Sequence, residues 1–171
     1  MNIMQNPEIE RVILSCGGVG DKLEKSVKLL EVLSDKRKIM KTKSNKRIPS
    51  LGVRPGLELG CMVTLRGQAA RSLLKRLLAA VNNTISNGKI KENHFSFGIK
   101  EYIEIPGVEF IRDVGIQGLN VTVVFSRKGK RVAIRKIKQA KVPKKQYVSA
   151  EEIIDYMKKN FNMEIKGEKE R

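Results

Sequence analysis

The sequence has no tryptophan, one histidine (His94), two cysteines and an aromatic content of only 5%. Each scarcity removes a class of function. A metal centre needs clustered thiolate, imidazole or carboxylate ligands, but Cys16 and Cys61 lie in separate apolar runs with only His94 to join them. Outside any Cys-x-x-Cys pair, these thiols are expected to stay reduced and to pack as small hydrophobes. No Ser-His-Asp or Cys-His arrangement can be built around His94, which falls in an Asn-His-Phe turn, and the acids lie mostly in helices with lysine partners. Neither a metal nor a cofactor is expected, and the chain does not read as an enzyme. Long apolar runs are missing too: none approaches the ~20 residues of a transmembrane helix. Met1 to Val12 has neither a basic flank nor an apolar signal core, so a soluble, unexported protein with no membrane partner is expected.

Acidic residues are the remaining shortage. Against 35 Lys and Arg stand 18 Asp and Glu, a formal net charge of +17. Such self-repulsion is best tolerated when a polyanion neutralises it, which makes RNA or DNA the expected partner. The excess is sorted along the chain. Lys36 to Lys91 holds 14 basic residues and one acid, Glu58; Val114 to Ala150 holds ten basic residues and no acid; everything else holds 11 basic and 17 acidic residues. A uniformly solvated surface would not be divided in this way.

A length of 171 residues predicts one domain with a single core. Ile9 to Ser15 alternates with period two and reads as a half-buried strand. The turn Gly17-Gly18-Val19-Gly20 follows, and Asp21 with Glu24 has the spacing of a capping box opening a helix to about Asp35. Ile39 to Lys43 is a short strand; Ser44 to Leu57, with two prolines, two glycines and basic side chains, is a long loop of the functional or mobile kind. Leu59 to Arg66 is a strand, and Gln68 to about Ile85 a helix with Ala70, Leu73, Leu74, Leu77, Leu78 and Val81 on one face. Phe95 to Ile99 and Leu119 to Ser126 are further strands, with Arg127 to Lys130 as a hairpin tip leading to a partner strand over Arg131 to Ile137. Ser149 with Glu152 opens a last helix to about Asn160, and residues 165–171 are expected to fray. The resulting fold class is α+β, an antiparallel sheet with helices on one face, with a basic loop at 44–57 and a basic hairpin and extension at 119–148.

The glycine turn is the one place for nucleotide chemistry. A phosphate-cradling loop needs GxxxxGK[ST], but here Asp21 separates Gly20 from Lys22 and would oppose a phosphate at the helix start. The rival reading as an enzyme would require saturable ATP or GTP binding. The basic loop offers a different chemistry. Lys41, Lys43, Lys46, Arg47 and Arg54, spaced along an extended segment, can follow a phosphate backbone and release counterions. Aromatics near them are sparse, which favours backbone and shape contacts with folded RNA over base stacking.

The run TKSNKRIPSLGVRPGLELGCMVTLRG, Thr42 to Gly67, resembles the signature of the large-subunit ribosomal protein five family, the universal 5S-rRNA-binding proteins, at Thr42, Lys43, Lys46, Ile48, Gly52, Val53, Arg54, Gly56, Gly60, Val63, Thr64, Leu65, Arg66 and Gly67. FSFGIKEYIEIPGVEF, Phe95 to Phe110, and the DVGIQGLNVTV that follows look like two more family segments, as does Gly18-Val19-Gly20-Asp21. The similarity runs from about Asn6 to Asn160 and is of the archaeal or eukaryotic type. It implies a ribosome-bound, cytoplasmic structural protein in the central protuberance, with 5S rRNA, large-subunit rRNA, P-site tRNA, neighbouring large-subunit proteins and a small-subunit head protein as partners. The loop 44–57 would face P-site tRNA, with Lys41, Lys43, Lys46, Arg47 and Arg54 on tRNA or rRNA phosphates. Thr64 and Arg66 would lie beside 5S rRNA. The family's Asn and Gln in the same polar group are Cys16 and Arg37 here, so Arg37 would supply a phosphate contact instead. Arg127, Lys128, Lys130, Arg131, Arg135, Lys136 and Lys138 would take rRNA backbone. Leu51 stands where the family has an aromatic at the loop centre, and Pro49 and Pro55 are local departures.

Overall fold

A computed structural model describes residues 3–35 and 37–167. Within them the chain makes strands β1 (Glu8–Gly17), β2 (Met40–Lys43), β3 (Glu58–Leu65), β4 (Thr84–Ser86), β5 (Ile90–Lys91), β6 (His94–Ile99), β7 (Leu119–Ser126) and β8 (Glu164–Lys166). Its helices are α1 (Asp21–Leu33), α2 (Gly67–Ala79), α3 (Arg131–Ile134) and α4 (Ala150–Phe161). Six strands form a sheet in the order β2-β3-β1-β7-β6-β5, with β2/β3 and β5/β6 antiparallel; β4 and β8 form a separate parallel pair. The fold is α+β, with helices packed on a mostly antiparallel sheet.

The described residues cluster into two compact units of interleaved segments. The first draws on Met1–Val12, Arg66–Phe97 and Thr122–Arg171, the second on Ile13–Leu65 and Gly98–Val121. In the first unit the leucines of α2 at 73, 74, 77 and 78 are buried, recurring at the i, i+3, i+4 spacing of one helix face. Phe125 packs between Phe95, at 5.9 Å, and Tyr156, at 5.6 Å edge to face. In the second unit α1 packs against β3 and buries Leu23, Leu29, Leu30 and Leu33. The fully buried Tyr102 keeps its hydroxyl satisfied by accepting from the Ile111 amide at 2.9 Å, which fastens the 102–111 segment.

β7 matches its expected bounds and buries Leu119, Val121, Val123 and Phe125 in strict alternation. The Ser149 cap also forms as the spacing predicts: its side chain accepts from the Glu152 amide while Glu152 accepts from the Ser149 amide. Four expectations are corrected. The Asp21–Glu24 box does not form, because Gly20, in a left-handed conformation at φ 60°, takes the cap position and Asp21 is already in the first turn. α2 ends at Ala79 rather than near Ile85, since Asn82 and Asn83 both turn left-handed, and Thr84–Ser86 becomes a strand beside β8. The hairpin after Ser126 is absent: β7 lies between β1 and β6 with both edges occupied, so Arg131–Ile134 coils into α3 instead of pairing. The tail expected to fray from residue 165 is paired through Lys166; residues 168–171 lie outside the described residues.

Candidate nucleic-acid interface

The first basic region belongs to the second unit. The stem of loop 44–57 is closed by backbone bonds from Ser44 to the Leu57 carbonyl (2.9 Å) and from Gly56 to the Ser44 carbonyl (2.8 Å). Its tip is closed by Ile48 and Val53, which exchange amide–carbonyl bonds of 3.0 Å around the turn Pro49–Leu51. Gly52 completes that turn at φ 64°, a left-handed position suited to a residue without a Cβ. Val53 is buried beneath the tip, while Leu51 is 72% exposed at its apex. The loop is therefore a built arm. Lys43, Lys46, Arg47 and Arg54 are all exposed on it, and no acid occurs between Thr42 and Leu57. Lys41, at the base, pairs with Glu58 at 3.0 Å, leaving the outer cations without a neutralising partner in the arm. A bulge between Thr42 and Lys43 in the β2–β3 pairing marks where the regular ladder yields to the arm.

Arg37 is exposed between α1 and β2, and Thr64 is half-buried on β3. In the same unit the buried thiols of Cys16 and Cys61 are neighbours; the hydrogen bond to Cys61, reinforced by burial, pushes the Cys16 thiol far above its ordinary value. Gly60 fits between β1 and β2 because a Cβ there would lie 3.0 Å from both the Cys16 carbonyl oxygen and Thr42 Oγ1. The glycine turn before α1 leads into a first helical turn carrying Asp21 and Glu24, charges that repel a phosphate.

The second basic region belongs to the first unit, which also carries the exposed Arg66 at the cap of α2. Its seven proposed contacts divide into two groups. Arg127 donates from Nη2 to both oxygens of Glu152, Lys128 pairs with Glu8 at 3.3 Å, and Lys130 pairs with Glu10. These three cations pin the start of the extension to α4 and β1. Burial would raise the Glu152 carboxyl, but hydrogen bonds from Arg127 and Ser149 outweigh it and hold the group below its ordinary value. Arg131, Arg135, Lys136 and Lys138 are exposed and lack a carboxylate partner among the described residues; Arg135 Nε donates to the Lys138 carbonyl at 2.7 Å, which ties this segment into a compact turn. Ile134 and Ile137 lie exposed among them. The carboxylate partners went unanticipated, although Glu8 and Glu10 share the i, i+2 spacing of Lys128 and Lys130 and offered the signal.

Two basic segments with exposed cations and no metal-binding cluster among the described residues suit a polyanion. Comparison with known proteins agrees with that chemistry. Residues 58–161 match the family model for the C-terminus of ribosomal proteins of the uL5 type. The chain belongs to the uL5 family of ribosomal proteins. Similar relatives include the large ribosomal subunit protein uL5 of Methanosphaera stadtmanae, 39% identical over 96% of this chain and 99% of the relative. The protein of the same name in Methanobrevibacter smithii is 39% identical over 95% and 97%, and that of Sulfolobus acidocaldarius 36% identical over 96% and 93%. These are archaeal members of the family matched over nearly their whole length, as the archaeal-type resemblance implied. No helix among the described residues is long and apolar enough to cross a membrane.

Proposed function

We propose that this chain is a structural, non-enzymatic constituent of the large ribosomal subunit, ribosome-bound in the cytoplasm. It grips 5S rRNA and large-subunit rRNA in the central protuberance and extends loop 44–57 toward P-site tRNA. Neighbouring large-subunit proteins and a small-subunit head protein complete its surroundings. The observation that carries this reading is the arm itself: a backbone-closed loop presenting Lys43, Lys46, Arg47 and Arg54 to solvent with no acid between them. Such a surface positions on phosphates without reading bases. Thr64, Arg66 and Arg37 supply the 5S contacts, and Arg131, Arg135, Lys136 and Lys138 hold rRNA backbone. Arg127, Lys128 and Lys130 join them only as far as their carboxylates release them.

The test is equilibrium binding of the purified chain to a 5S rRNA transcript and to an arbitrary RNA duplex of equal length at near-physiological salt. Preference for 5S rRNA is expected; equal affinity for the two overturns the reading. Co-sedimentation with the large subunit through a sucrose gradient after a moderate salt wash separates a ribosomal constituent from a free RNA-binding module.

A further inference from the structure

The first unit contains a cavity of about 690 Å³ where β7 meets the extension, lined by Phe125, Lys130, Lys141, Lys144, Gln146 and Tyr147 among others. We propose that this cavity receives a single unpaired nucleotide of the bound RNA, with its base on Tyr147 and its phosphate on Lys141 and Lys144. The inference rests on the RNA-binding reading above and names a contact within it.

Three observations support that occupant over a protein segment. Every charged residue of the lining is a cation, and no Asp or Glu contributes to the wall. Two of the four cations, Arg127 and Lys130, are already neutralised by Glu152 and Glu10, whereas Lys141 and Lys144 are exposed and have no carboxylate partner among the described residues. The cavity thus carries net positive charge at one place, as a single phosphate requires. Second, the wall offers an aromatic face: Phe125 is spent in the core between Phe95 and Tyr156, but Tyr147 remains 42% exposed. A cation beside a free aromatic face is how unpaired bases are held without sequence-specific reading.

Third, the site is assembled in advance. Asn93, left-handed at φ 63°, accepts from the Phe125 amide at 2.7 Å through its carbonyl. It also accepts from the Val148 amide at 2.8 Å through Oδ1 and donates its own amide to the Val148 carbonyl at 3.0 Å. The strand and the segment bearing Tyr147 are thereby clamped to one residue. The turn Lys144–Gln146, closed by Gln146 to Pro143 (3.0 Å) and Tyr147 to Lys144 (2.9 Å), fixes the relative positions of cation and ring. The Gln146 amide adds a donor and an acceptor at the wall for a base edge.

The experiment titrates isotope-labelled full-length protein with adenosine 5′-monophosphate, ribose 5-phosphate and an acidic hexaglutamate peptide, following backbone amides. In parallel, 5S rRNA affinity is measured for wild type, Tyr147→Ala, Tyr147→Phe and Lys141→Glu/Lys144→Glu. The nucleotide is expected to shift amides of residues 144–148 more than ribose 5-phosphate does. Tyr147→Ala should weaken 5S rRNA binding roughly tenfold while Tyr147→Phe retains it. Equal shifts with ribose 5-phosphate would reduce the site to a phosphate contact and overturn the base-stacking proposal. Stronger perturbation by the peptide would assign the cavity to a protein segment instead. If 5S rRNA binds wild type and Tyr147→Ala alike, the pocket proposal fails and the ribosomal reading stands. If wild type shows no preference for 5S rRNA, that reading fails and the nucleotide titration still decides the pocket.

Discussion

Arg127 Nη2 donates to both carboxylate oxygens of Glu152, at 2.6 and 2.7 Å, so one nitrogen joins the end of the central strand to the first turn of α4. The same carboxylate accepts from the Ser149 amide at 3.1 Å, serving as both ion-pair partner and helix cap. Glu152→Ala is expected to lower unfolding free energy by about 1–2 kcal/mol, combining a partly exposed charged hydrogen bond with loss of the cap. Because the folded carboxyl titrates below its ordinary value near 4.5, its stabilisation is complete above that pH and fades as pH falls through the lower folded value. Urea unfolding of wild type and variant from neutral to acidic pH should show the gap between them narrowing on acidification. A constant gap would deny the ion pair its role.

Loop 44–57 is predicted to act through phosphates. Lys46→Ala/Arg47→Ala/Arg54→Ala should weaken 5S rRNA or tRNA binding and reduce the slope of log K against log salt by roughly 2–3, near one per lost phosphate contact. Thermal unfolding should be almost unchanged, since all three side chains are exposed. An unaltered salt slope would remove the arm from the binding surface.

Gly118 makes a closer approach than any other glycine described: a Cβ there would lie 2.6 Å from the Lys100 carbonyl oxygen and 2.8 Å from that of Ile99. Both obstacles are backbone and cannot swing aside. Gly118→Ala should therefore cost on the order of 2 kcal/mol, more than Gly60→Ala, where the corresponding separations are 3.0 Å. Denaturant midpoints for the two variants give the comparison, and the reverse order would contradict it.

Cys16 and Cys61 are predicted to be silent toward thiol reagents in the native protein at neutral pH, because both are buried and the reactive form is the thiolate. Two equivalents should react on addition of denaturant. Rapid native-state modification would show that the β1–β3 region opens locally.

Most of the sheet could be anticipated because its signals are local. The alternation of Leu119, Val121, Val123 and Phe125 reports one buried face, and Ser149 with Glu152 states a helix start within four residues. The errors arose where a distant partner decides. Thr84–Ser86 continues the helical composition before it, yet Asn82 and Asn83 break the helix and β8 captures the segment from across the chain. The segment after Arg127 has hairpin composition, but whether β7 has a free edge depends on the positions of β1 and β6. For the candidate interface, the basic residues of the arm were readable from charge and Gly/Pro content. What Arg127, Lys128 and Lys130 do was hidden because their carboxylates come from β1 and α4.

The parallel pairing of Thr84–Ser86 with Glu164–Lys166 bears on biosynthesis. Translation delivers the amino-terminal residues first, yet the first unit also needs Thr122 onward and is completed by a strand near the far end of the chain. The second unit needs nothing beyond Val121. On a translating ribosome the second unit can therefore close while the first still waits, its leucine-rich helix exposed and in need of shielding by a chaperone, until the last strand leaves the exit tunnel.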